Sequence, residues 1–304
     1  MKINRKIQNI SFISIGALAL IGLILGTVFD QKISGKMGDF NNLFGILFTA
    51  LGPVLTLAFG VFVGASLFFM NKTPNKTWNI ILKVLGAVTV VGFVLIQVKE
   101  GIEYVDFPRM QENESTYKAL IIVLIALIDL AIILFTRFWV DKMDSKVIIQ
   151  VCLMILAIIL CYFVLCEGTK YLASRPRPRV IDQGLHEFKQ WYQWKPFAAL
   201  SAEYKDCKSF VSGHSANATC LVTILPLVAT LHKRENNNII QILTIVIGGL
   251  FALVVALSRI VARAHFMTDV MGGILLSITV QAVVINVAPL IIKKFDKNTI
   301  NEEK

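Results

Sequence analysis

Charge is scarce in this chain: Asp, Glu, Lys and Arg together make up 16% of its 304 residues, too few to clothe a water-facing surface. Cysteine is scarce too, with five residues, of which Cys152, Cys161, Cys166 and Cys220 fall within apolar stretches and only Cys207 in a loop. Neither a disulfide framework nor a metal-ligand spacing follows from that pattern. There is no internal repeat, no low-complexity tract and no linker to set off a soluble domain, and the polar tail after Lys293 is too short to fold alone. A single membrane domain over residues 1–304 is the expectation. No Ala-x-Ala cleavage site follows the first apolar stretch: behind Lys2, Arg5 and Lys6, the run Leu18–Phe29 passes directly into Asp30 and Gln31. It reads as a retained helix rather than a signal peptide. The basic residues, which leave a net charge of +10, form neither one soluble face nor an arm, so a nucleic-acid partner is not expected.

What the chain has in abundance is apolar sequence, 56% of all residues. Eight stretches, 9–29, 43–70, 78–98, 119–139, 147–169, 215–231, 239–258 and 269–292, approach or exceed the roughly 20 helical residues that a hydrocarbon layer requires. The predicted fold is an all-α polytopic bundle of about eight membrane-spanning helices. Short segments on the side holding both termini carry Lys2, Arg5, Lys6, Lys72, Lys76, Arg137, Lys142, Lys146, Lys233, Arg234, Lys293, Lys294 and Lys297, which the positive-inside rule assigns to the cytoplasm. The opposite side has an acidic loop with Glu100, Glu103, Asp106, Glu112 and Glu114, and the longest loop, 171–211. That side is expected to face outward across the plasma membrane. In the long loop, Trp191, Tyr192, Trp194 and Phe197 suit the lipid headgroup level or equally a loop packed on its own aromatics. Asp129 and Lys83, inside apolar stretches, are each expected to make an interhelical structural contact.

Three polar blocks stand at the outer ends of the last helices: Lys170 with Arg177-Pro178, then Ser212-Gly213-His214, then Ser258-Arg259 with His265 and Asp269. Taken singly, each has a plain structural explanation. Basic residues at helix ends snorkel, Glu167 three residues before Lys170 offers an ion-pair partner, and Ser212 has the form of a helix N-cap. Taken together they form one pocket for an oxyanion, since Lys170, Arg177 and Arg259 carry permanent charge and arginine grips phosphate through paired N–H donors. Asp269, one helical turn beyond His265, is placed to accept the Nδ1 proton and leave Nε2 as a nucleophile.

The chain at these residues resembles the type 2 phosphatidic acid phosphatase family, whose signature is Lys-x6-Arg-Pro, Pro-Ser-Gly-His and Ser-Arg-x5-His-x3-Asp. Lys170 through Arg177-Pro178, Val211-Ser212-Gly213-His214, and Ser258-Arg259 through His265 and Asp269 match it in order and spacing, with Val211 in place of the usual proline. The resemblance covers 147–285. It implies catalytic roles for His265 as nucleophile, His214 as the acid for the leaving oxygen, and Asp269, with a phosphate cradle of Lys170, Arg177, Ser212, Gly213 and Arg259. It further implies a lipid phosphate as substrate, phosphatidate, phosphatidylglycerol phosphate or a polyprenyl diphosphate, and no metal or other cofactor. The alternatives are a phosphatase of soluble esters and a non-catalytic anion transporter or binding protein. Binding alone needs the cations but not an oriented nucleophile and acid. The family core has six helices, so eight imply an additional N-terminal pair to which the sequence assigns no role.

Overall fold

The computed structural model describes residues 3–70, 76–102, 113–140, 142–196, 206–231 and 237–302, with side chains described as far as 290. The helices are α1 Arg5–Met37, α2 Leu43–Phe69, α3 Lys76–Ile102, α4 Glu114–Val140, α5 Ser145–Ala173, α6 Pro178–Asp182, α7 Gly213–Thr219, α8 Leu221–Ala229, α9 Asn238–Val261 and α10 Met267–Glu302. Among the described residues, seven of these are long and apolar enough to cross a membrane. The all-α bundle is therefore as predicted, with one difference. The apolar run at 215–231 is not a single long helix but α7 and α8, broken at Cys220 and together covering Gly213–Ala229. At about 1.5 Å per residue neither of them alone is long enough to cross a membrane.

Helix starts follow local chemistry. Asn4, Asn42 and Asp144 cap α1, α2 and α5 by accepting hydrogen bonds from backbone N–H groups of the first turn, which have no intrahelical partner. Burial is uneven. Most of the apolar window of α2 is buried, whereas α3 and α4 turn nearly all of theirs outward, as lipid-facing helices must. These two pack on α2 and on each other, while α1 lies along α10. Asp129 of α4 is buried and accepts a 3.2 Å hydrogen bond from Gln97 Nε2 of α3, the interhelical contact expected of it. The short α7 sits at the centre, enclosed by α2, α5, α9 and α10.

Proline inside helices leaves a mark on the packing. A proline offers no N–H to the carbonyl four residues earlier, and in α8 the carbonyl so released by Pro226 is that of Val222. Gln8 of α1 donates to it at 3.1 Å. In α2, Pro53 releases the carbonyl of Thr49 in the same way.

The termini lie at one end of the bundle. Asn4 N donates to Gln241 Oε1 at 2.9 Å near the start of α9, and Asn286 Nδ2 of α10 donates to Asn9 Oδ1 at 3.1 Å. The ends of α5 and α9 and the starts of α7 and α10, which carry the three polar blocks, are at the other. Lys72, Lys233, Arg234, the acidic residues Glu103, Asp106 and Glu112, and Phe197 lie outside the described residues. Of the remaining loop aromatics, Trp191 turns inward, its Nε1 donating to Thr27 Oγ1 of α1 at 3.0 Å, while Tyr192 and Trp194 are exposed.

Candidate active site

Each polar block is delivered by a helix end. Lys170 stands in the last turn of α5, which closes with Ser174 in the left-handed region at φ 40°. Arg177 is the residue before α6, held by its N–H to the Asp206 carbonyl at 3.1 Å. Lys170 Nζ donates to Glu167 Oε1 at 2.6 Å, so the ion pair foreseen in the sequence forms, and both residues line a cavity of about 240 Å³ with Arg177, Gly213, His214 and Asn217. A Cβ on Gly213 would stand 3.1 Å from Lys170 Nζ, which measures how closely the ammonium group approaches the start of α7.

Ser212 is fully buried and caps α7, its Oγ accepting from Ser215 N at 3.4 Å and Ser215 Oγ at 3.0 Å. Its own N–H donates to the Asp269 carbonyl at 2.9 Å, and a Cβ on Gly273 would come within 2.4 Å of the Ser212 carbonyl. Only glycine lets α10 come this close to the turn. Val211, where proline was expected, is buried beside Cys166, Ala173 and Phe210. Packing holds the turn that a proline ring would otherwise stiffen.

His214 is buried, and its Nε2 lies 3.1 Å from the Thr49 carbonyl, the one released by Pro53. A carbonyl only accepts, so the proton is on Nε2. The Thr49 hydroxyl takes a hydrogen bond from Arg259 Nη1. One residue of α2 thus orients both the histidine of the second block and the arginine of the third. Arg259, His265, Lys170 and Arg177 all lie within electrostatic reach of the His214 ring.

His265 sits between α9 and α10, its backbone N–H bonded to the Arg259 carbonyl at 3.2 Å. The expected acceptor of its Nδ1 proton, Asp269, is not the nearest one. Nδ1 is 2.8 Å from the Ser209 carbonyl and 3.8 Å from Asp269 Oδ2, beyond hydrogen-bond range. Asp269 is instead occupied by Ser209 Oγ at 2.6 Å, Phe266 N at 2.7 Å and Arg175 Nη1 at 2.6 Å. The tautomer is nonetheless the one predicted, with the proton on Nδ1 and Nε2 bare. Burial holds the imidazolium form down to about 3, with Arg259 and Arg177 acting in the same direction and Asp269 opposing them. The ring is neutral at physiological pH, as attack through Nε2 requires.

All eight residues singled out in the sequence therefore gather at one end of the bundle. Sequence reading missed the supports: Arg175, Asp30, Thr49, Ser209 and Thr268. Arg175 and Asp30 are each only 1% exposed, and a charged residue at the end of an apolar stretch was the available signal.

Residues 149–292 match the PAP2 superfamily model. A stretch of 68 residues is 35% identical to phosphatidylglycerophosphatase B of Bacillus subtilis (strain 168), covering 21% of this chain and 32% of that protein. The aligned part thus spans about a third of the relative's length. No solved structure matches the chain. The three signature blocks, brought together at one end of a helical bundle, all lie within the segment 149–292 that is similar to the PAP2 superfamily.

Proposed function

We propose that the protein is a membrane phosphatase that hydrolyses the phosphate ester of a lipid through a phosphohistidine on His265. The observation that carries the reading is the pair of oriented histidines. His265 has its Nδ1 against a carbonyl, which leaves Nε2 to attack, and His214 shares the cavity with Lys170 and Arg177. A protein that merely bound an anion would need the cations alone.

In the first step Nε2 of His265 bonds to phosphorus while the P–O bond to the alcohol breaks, and His214, entering the step as an imidazolium whose Nε2–H stays on the Thr49 carbonyl, gives its Nδ1 proton to the departing oxygen. In the second, water attacks the phosphohistidine, His214 takes a proton from it, and the N–P bond breaks to release phosphate. Lys170, Arg177 and Arg259, with the Gly213 N–H and the Ser212 hydroxyl, meet the charge on the phosphoryl oxygens. This is the work that magnesium does in many phosphoryl transfers, so turnover is expected to persist in excess EDTA.

A lipid substrate fits the cavity walls. Ile96 of α3 and Phe163 of α5 line the cavity and are also among the exposed apolar residues of the bundle, so an acyl or prenyl chain has an apolar way out beside the phosphate. The bacterial relative is a phosphatidylglycerophosphatase by name, which favours the same class. The basic bias of the sequence puts the termini in the cytoplasm and the site on the outer face.

The test is phosphate release by the purified protein in mixed micelles, comparing long-chain phosphatidate and phosphatidylglycerol phosphate with glucose 6-phosphate, with rapid quenching to trap phosphohistidine. Lipid esters should give the higher kcat/KM, and His265→Ala should abolish both turnover and trapped phosphate. Turnover near the parent level in His265→Ala would refute the mechanism. Equal or better use of the soluble ester would remove the lipid assignment and leave the histidine chemistry standing.

A further inference from the structure

We infer that Asp30, on the first helix and outside the segment that matches the family, is a positioning residue for His265, acting through Arg175 and Asp269. The inference rests on the reading of His265 as nucleophile. Asp30 lies near the C-terminal end of α1, and a carboxylate buried there must be paired. Its Oδ1 accepts from Thr268 N at 3.0 Å, and its Oδ2 accepts from Arg175 Nη2 at 2.9 Å and from the Thr268 hydroxyl. The other side of the same guanidinium reaches Asp269 Oδ1 and Thr268 Oγ1, both at 2.6 Å, and its Nε donates to the Lys189 carbonyl at 2.7 Å. The guanidinium lies 4.4 Å from the centre of the Phe266 ring and 5.4 Å from that of Phe188, so its plane is fixed as well as its ends. Asp269 in turn holds Ser209, whose carbonyl holds Nδ1 of His265.

The charges explain why two carboxylates are needed. Arg175 alone against Asp269 would form a neutral pair, while Asp30 and Asp269 sharing one guanidinium leave the cluster with a net negative charge. That charge faces His265, whose ring becomes cationic as Nε2 bonds to phosphorus, with Asp269 Oδ2 at 3.8 Å from Nδ1. Asp30 therefore supports a charge that exists only after attack begins, and such an interaction acts on kcat rather than on binding. The hydrogen bonds of Asp30 run to Arg175 and Thr268.

Asp30→Asn in the full chain, purified in detergent, tests this with two readouts. Nitrogen NMR on histidine-labelled protein reads the network with no turnover required: the His265 ring signals should move, and those of His214, held from α2, should move less. In the kinetic arm with phosphatidate, kcat should fall about tenfold, as it does when an outer partner of a reacting group is lost. KM and the inhibition constant of inorganic phosphate should stay within about twofold. Thr268→Val, which removes the hydroxyl bridging Asp30 and Arg175, carries the same expectations and serves if Asp30→Asn does not fold. Unmoved His265 signals in the folded variant overturn the inference, and so does a rise in KM and in the phosphate inhibition constant matching the fall in kcat. A parent that forms no phosphohistidine refutes the proposed function instead, while the NMR arm still decides the coupling.

Discussion

Which ring nitrogen carries the proton decides what a histidine can do, and in both histidines of this site a backbone carbonyl makes the decision. Ser209 fixes Nδ1–H in His265, and Thr49 fixes Nε2–H in His214. The cost appears in acid. The His265 ring stays neutral in the fold down to about 3, whereas in the unfolded chain it protonates near pH 6.5. Between those values the unfolded state binds more protons, so stability falls as pH drops below about 6.5 and the contribution is fully present above it. The slope from this one residue reaches at most about 1.4 kcal/mol per pH unit. His265→Asn lacks the group, so the Tm advantage of the parent over this variant in detergent should shrink from pH 7 to pH 5. A difference that is constant across that range would mean that the buried ring is not held neutral. At this scale much was legible in the sequence. Lys170, Arg177, His214, Arg259, His265 and Asp269 stand in short blocks whose internal spacing reports one helix end each, and short spacing is what a sequence displays.

The elements show where that legibility stops. Of the eight apolar windows, seven are helices long and apolar enough to cross a membrane, because helix length and hydrocarbon thickness are both linear measures. The eighth run is as apolar as the others, and nothing in its composition marks the break at Cys220 that separates α7 from α8. Pro53 is similarly silent in the sequence, being one proline within an apolar helix. In the structure it withholds the N–H that would otherwise engage Thr49, and the released carbonyl holds His214. Proline in a helix interior is about 3 kcal/mol less favourable than alanine, so Pro53→Ala should raise the Tm. Its new N–H competes for the Thr49 carbonyl, so turnover should fall severalfold in the step that needs His214. Stability up and activity down is the expected pair of signs, read by thermal unfolding and kcat on the same preparation. An unchanged kcat would show that the released carbonyl has no part in orienting the acid.

On the scale of the whole molecule, both termini lie at the end opposite the site, and the proposed topology, taken from the basic bias of the sequence, has that end facing the cytoplasm. In a variant without the native five cysteines, a cysteine replacing exposed Gln183 near the site should react with a membrane-impermeant thiol reagent in intact cells, and one replacing exposed Lys6 should not. The reverse pattern would move the site, and with it the substrate pool, to the cytoplasmic face. The N-terminal helices also have a place in the whole that their own sequence does not announce. The sequence by itself determined the membrane class, the long apolar helices and the candidate site residues, because transfer of apolar surface and the spacing within one helix end are local properties of the chain. Only the tertiary structure decided that Asp30 meets Thr268 across 238 positions and that Thr49 meets His214 across 165. A buried polar group must find a partner, but which partner it finds depends on which helices lie side by side, and that follows from the packing of the whole bundle.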